Sequence, residues 1–168
     1  MIFRKIAAVL AMSLSMTAVA QGTADKDEEK FVRLTQQLEA APLSDTDKSM
    51  RSWLLQWATD SPDITVLVCD VMDFVTVKET ANSGIYTTQM MFGNVAYQIS
   101  NPDKRNDLLA TQLAGVRSAL KAYESILAKD PEAKISHFDE LLKKDKDGTL
   151  SDYLAPVVEK KCSESGGG

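Results

Sequence analysis

Between Leu109 and Leu127 the apolar residues fall at Leu109, Leu113, Val116, Leu120, Tyr123 and Leu127, stepping alternately by four and three. Residues three or four apart return to the same face of a helix, so this run is one long stripe of the kind that lines the seam of an antiparallel bundle. A stripe of that length has to be covered by further helices. The rest of the chain carries punctuation that would supply them. Ser61-Pro62-Asp63, Asn101-Pro102-Asp103 and Asp130-Pro131-Glu132 repeat one order: a capping residue, a proline and an acid. The first suits a helix N-cap, the proline suits the first helical position, and the acid suits the positive end of the helix dipole. Each copy is therefore expected to open a helix. Trp57 and Tyr97 lie five residues before the first two prolines, as the ends of preceding helices. The copies stand 40 and 29 residues apart, which excludes a fixed-period repeat.

With these marks the chain reads as about seven helices. "DEEKFVRLTQQLEAA" places Phe31, Leu34 and Leu38 on one face and stops before Pro42. Ser44 or Asp45 caps a second helix carrying Met50, Trp53, Leu54 and Trp57. "SPDITVLVCDVMDFVTV", residues 61–77, holds apolar residues at Ile64, Leu67, Val68, Val71, Met72, Phe74 and Val75. That spacing fits a helix, and the succession Val66, Leu67, Val68 breaks strand alternation, so a buried third helix is expected. Asn82 or Ser83 starts a fourth with Tyr86, Met90, Gly93, Val95, Ala96 and Tyr97. The long stripe is the fifth. A sixth spans Pro131 to Lys143 with Ile135, Phe138, Leu141 and Leu142. Gly148 stops it, Thr149 and Asp152 begin a seventh as in a capping box, and Pro156 kinks that last helix. The fold class is all-α: antiparallel helical hairpins packed as a bundle or short stack.

The ends of the chain bear on compartment. Arg4 and Lys5 precede an apolar run from Ile6 to Val19, and Ala18-Val19-Ala20 is a small-x-small site, the three parts of a secretory signal peptide. The run is shorter than the ~20 residues a membrane-spanning helix needs. Residues 1–20 are therefore expected to be removed, leaving a single helical domain over 21–162 and a flexible tail over 163–168. Loss of Arg4 and Lys5 would take the formal charge from −5 to −7. An acidic chain without clustered Lys and Arg is a poor partner for nucleic acid or an anionic membrane surface. Cys69 and Cys162 are the two cysteines. In an exported protein an even pair reads as a disulfide, and no His or Lys/Arg cluster flanks Cys69 to make it reactive. A periplasmic or secreted location follows as the expectation.

Candidate chemistry is sparse. His137 is the sole histidine, and neither a catalytic triad nor a zinc site is built from one histidine without further ligands. Asp145, Asp147 and Gly148 resemble part of a calcium loop, but aligning the glycine puts Lys143 and Leu154 at the two ends, where carboxylates are needed. Asp70 and Asp73 are three apart on the expected third helix, a spacing typical of a solvated face, although paired carboxylates also serve acid–base catalysis. No cofactor, no metal site and no enzymatic constellation is expected. Gly93 costs ~1 kcal/mol against alanine within a helix, which points to a close approach there. Close packing against the fifth helix explains it. The functional alternative is an adaptable groove formed by Met90, Met91, Gly93 and Tyr97 for a partner helix or apolar ligand.

"ALKAYESILAKDPEAK", Ala119 to Lys134, resembles the second helix of a tetratricopeptide repeat, with Ala119, Tyr123 and Pro131 at that family's small, aromatic and terminal proline positions. "FGNVAY" is similar to the glycine-bearing first helix of such a repeat. The stretches "RSWLLQWATDSPD" and "AGVRSALKAYESIL" also resemble small secreted bacterial proteins of uncharacterised role. These likenesses imply helical pairs, export and a protein or peptide partner. The expected function is a non-enzymatic exported binding protein. A small apolar ligand carrier or sensor, or an immunity or inhibitor protein for an exported toxin, stands as the alternative.

Overall fold

A computed structural model describes residues 17–73 and 82–165, with side chains over 26–73 and 82–163. Among the described residues the protein is all-helical, with six α-helices: α1 Thr17–Ala40, α2 Asp47–Asp60, α3 Ser83–Ser100, α4 Leu108–Leu127, α5 Ser136–Lys146 and α6 Leu150–Ser165. Short 3₁₀ turns, Pro102–Lys104 and Pro131–Ala133, precede α4 and α5. Most of the expected signal peptide, residues 1–16, lies outside the described residues, as do residues 74–77 of the expected third helix. Helix α6 continues through Ser165, three residues into the expected tail. Among the described residues no helix is long and apolar enough to cross a membrane.

Six helices replace seven because residues 61–73 are not helical. All three cap–proline–acid copies close the helix before them. The backbone N–H groups of Ser61, Asn101 and Asp130 donate to Trp57 O, Tyr97 O and Ile126 O at 3.0, 2.9 and 2.9 Å. A proline disfavours helical backbone in the residue before it, so the cap position becomes a stop and the proline begins a turn. After Pro62 the β-branched Ile64, Thr65, Val66 and Val68 each weaken a helix by a few tenths of a kcal/mol. Tertiary hydrogen bonds then supply an alternative. Gln98 Nε2 on α3 donates to Thr65 O at 2.8 Å, and Gln112 Nε2 on α4 donates to Leu67 O at 2.8 Å. The segment ends in a turn in which Asp73 takes a positive φ of 55°, and Asp73 N–H donates to Asp70 O.

Helix α3 separates two apolar cores. Tyr86 and Met90 face one, with Val116, Leu120, Tyr123 and Ile126 of α4, Phe138 and Leu141 of α5, and Leu150, Leu154 and Val158 of α6. Phe92 and Val95 face the other, with Phe31 and Leu38 of α1 and Leu54 of α2. Along α3 and α4, Tyr86 meets Tyr123, Gln89 meets Ser118 and Gly93 meets Ala114, so this pair runs in opposite directions. The α5–α6 corner is a Schellman cap: Gly148 at φ 73°, its N–H on Asp145 O and the Thr149 N–H on Lys144 O. The Asp145–Gly148 stretch is thus a helix stop. Cys69 and Cys162 form a disulfide that ties the irregular segment to the last turns of α6 across 93 residues.

Tyr86, Tyr123 and Phe138 pack edge to face, with ring centroids 5.3–6.0 Å apart. The Tyr123 hydroxyl donates to Asp139 Oδ1 at 2.8 Å and accepts from the Ile135 N–H at 2.9 Å. Burial, reinforced by the Asp139 carboxylate and opposed by the Ile135 N–H, pushes this phenol up to about 12. A raised folded-state value means that the native protein holds the proton more tightly, so the stabilisation is complete below the ordinary tyrosine value and disappears as pH climbs towards 12. The partly exposed Asp139 screens the effect, leaving on the order of 1–2 kcal/mol. Urea denaturation at about pH 9 and about pH 12 should record that loss. Tyr123→Phe should flatten the alkaline decline while lowering stability at neutral pH, and an unchanged alkaline slope would remove Tyr123 as its cause.

Candidate functional site

Helices α1, α3 and α4 enclose an open trough of about 400 Å³. Its floor is made of small residues, Gly93 and Ala96 on α3 with Ala110 and Ala114 on α4. Small side chains at four-residue spacing, Ala110, Ala114 and Ser118, let α3 approach α4 closely. A β-carbon on Gly93 would collide with the Ser118 side chain, and one on Gly115 would sit 2.6 Å from Met90 O. Helix α1 forms the wall with Val32, Thr35, Gln36 and Glu39. Two further clefts of about 480 and 440 Å³ share Gln36 with the trough. The depression therefore follows α1 from Glu28 to Ala40.

Glu39 organises the wall. Its side chain is 13% exposed, and its carboxylate accepts from Ser118 Oγ at 2.6 Å and Lys121 Nζ at 3.0 Å. Its backbone carbonyl accepts from Ser125 Oγ at 2.7 Å. Ser118 Oγ in turn accepts from Gln89 Nε2 at 3.0 Å, and the same amide reaches Thr35 O at 3.2 Å. The chain Thr35–Gln89–Ser118–Glu39–Lys121 joins all three helices. Arg117 on the rim bonds Asp145 of α5 at 2.7 Å. These bonds fasten the Glu39 carboxylate of α1 to Ser118 and Lys121 of α4.

Of the residues singled out in the sequence, Gly93 and Tyr97 line this trough. Met90 lies in the core, 4% exposed, with Gly115 of α4 against its carbonyl. Met91 is half-buried and outside the lining. The close approach at Gly93 is helix packing, and it also sets the depth of the trough. Asp70 and Asp73 lie on the irregular segment, so they do not share a helix face, and Asp73 Oδ1 is 3.7 Å from Lys161 Nζ beside the disulfide. His137 sits half-buried on α5. Among the described residues no three His, Cys, Asp or Glu side chains converge as a metal-binding set. Glu39, Ser118 and Lys121 escape the sequence reading; the four-residue spacing of Ala110, Ala114 and Ser118 on α4 is a signal for Ser118 alone, and no local pattern marks Glu39 or Lys121. No protein family matches this chain, and neither curated proteins nor solved structures give a significant match.

Proposed function

We propose that this is an exported, non-enzymatic module whose α1–α3–α4 trough receives a peptide or a segment of another protein. The observation that carries the reading is the trough itself: an elongated, open depression with a small-residue floor and a charged wall clamped by Glu39, Ser118 and Lys121. Pre-paired rim charges hold the wall in place, which reduces the ordering cost of binding. A small apolar ligand would be better served by an enclosed apolar cavity. The disulfide fits an oxidising compartment, in keeping with the signal-like residues 1–20. Helices α3 and α4, which carry the tetratricopeptide-like fragments, are packed against each other, and a helical-hairpin stack is the architecture that likeness supports. An immunity or inhibitor role is the same reading with a toxin as the partner.

A photo-crosslinking residue at Gln36, on the trough wall, tests this against one at Lys160 on α6. In intact host cells the Gln36 probe is expected to yield one discrete adduct, recovered in the exported fraction on a chain beginning at Gln21. The Lys160 probe should yield none. Equal labelling at both positions, or none at Gln36, would sink the reading.

A further inference from the structure

We propose that residues 61–68 are a displaceable strap over a second binding seat, in which the Gln98 and Gln112 amides hold the main chain of an extended, uncharged segment from a partner protein. The seat is polar and drawn from two helices. Asn94 and Gln98 of α3 and Gln112 of α4 are buried, and none of them lines the trough. Gln98 Nε2 donates to Asn94 Oδ1 at 2.7 Å, which fixes the amide, and to Thr65 O at 2.8 Å. Gln112 Nε2 donates to Leu67 O at 2.8 Å. Two donors set for carbonyls two residues apart match one side of an extended chain. The strap fills this seat incompletely. Gln112 Oε1 is buried and has no hydrogen-bond partner among the described residues.

An extended chain directs the N–H and C=O groups of alternate residues to one side. A segment that runs straight past Leu67 therefore brings the N–H of the residue at position 69 towards that oxygen. The strap cannot do so. Cys69 is bonded to Cys162, and the chain turns there, with the Val71 N–H on Cys69 O at 2.9 Å. A buried acceptor left unpaired is a cost that a straight occupant recovers. The strap is also lightly held. No side chain of residues 61–68 is fully buried, whereas Cys69, Val71 and Met72 are. The groups under its two bonded carbonyls are amides, which water solvates when the strap lifts, so opening stays local while the disulfide retains Cys69. The strap also shows what the seat accepts: Ile64, Val66 and Leu67 rest against the apolar cores, and Ile64 to Val68 carry no charge and no proline.

The test uses the full disulfide-bonded chain and two labelled peptides with the sequence of residues 63–71, one carrying Cys69→Ser and one Cys69→Pro. Both are freed from the tether, but the proline peptide lacks the N–H that would reach Gln112 Oε1. The serine peptide is expected to bind roughly tenfold more tightly. It should shift the side-chain amide proton resonances of Gln98 and Gln112 while leaving crosslinking from Gln36 unchanged. Thr65→Gly with Val68→Gly in the protein, both at exposed positions, loosens the strap and should tighten peptide binding by roughly tenfold, since the seat is then vacated more often. Unshifted Gln98 and Gln112 resonances, equal binding of the two peptides, an affinity indifferent to the glycine variant, or exchange of straps between two copies in place of peptide binding would each overturn the proposal. Failure of the trough reading would instead show at Gln36.

Discussion

Replacing Cys162 by serine is expected to lower the melting temperature by roughly 10 °C, from a loss on the order of 4 kcal/mol at 2–4 °C per kcal/mol. The bond closes a loop of 93 residues, long enough that freeing it returns substantial entropy to the unfolded chain. Its two ends also need it in the folded state. Cys69 belongs to a segment without helical hydrogen bonds of its own, held otherwise by Gln98 and Gln112. Cys162 lies near the end of α6, whose interior contains Pro156 and so lacks one backbone bond. The nearby Lys161–Asp73 pair, at 3.7 Å and half-exposed, adds at most about 1 kcal/mol. Cys69→Ser, Cys162→Ser and the double variant should melt together, because either substitution removes the same bond. Hydrogen exchange should rise first in α6 beyond Pro156. Identical melting with and without a reductant would contradict the argument.

The elements that proved legible were those whose signals are local. The stripe from Leu109 to Leu127 is α4, and all its members face a core or pack against one. Gly148 stops α5 because a left-handed residue is needed there, and a glycine ahead of Thr149 announces it. Asn82 does occupy the N-cap of α3, as one of the two residues proposed. Residues 61–73 were misread because their conformation is decided from far along the chain. The glutamines that take their carbonyls lie 33 and 45 residues away, and no periodicity within the segment reports them. Spacing alone fitted a helix there, while the β-branched composition argued against one. The trough was half legible for a related reason. Gly93 signals a close approach, but what approaches and which neighbours stay open depend on α4. Gly115 closes the face at Met90, whereas Tyr97 still borders the depression.

Gly115→Ala and Gly93→Ala are each expected to destabilise the protein by about 2 kcal/mol or more, against the helix-propensity gain of ~1 kcal/mol that alanine normally brings. At Gly115 the added methyl would lie 2.6 Å from Met90 O and 3.1 Å from Met90 Cγ. The nearer obstacle is backbone and cannot rotate away. At Gly93 the methyl meets the Ser118 side chain and stands 3.0 Å from Ala114 O. Both contacts force α3 and α4 apart, and this displacement reaches the second core through Phe92 and Val95. Gly84→Ala is the matched control: the same substitution on the same helix α3, with nothing within 4 Å, should stabilise by about 0.4–1 kcal/mol. The double variant Gly93→Ala/Gly115→Ala should cost less than the sum of the singles, since the first separation relieves the second clash. Urea denaturation at neutral pH measures all four. Opening the pair would also stretch the Ser118–Glu39 bond that fastens α1, so the glycine variants should weaken crosslinking from Gln36 and Gly84→Ala should not. A Gly115→Ala protein as stable as the parent would mean that α3 and α4 do not meet at this distance, and the floor of the trough would have to be redrawn.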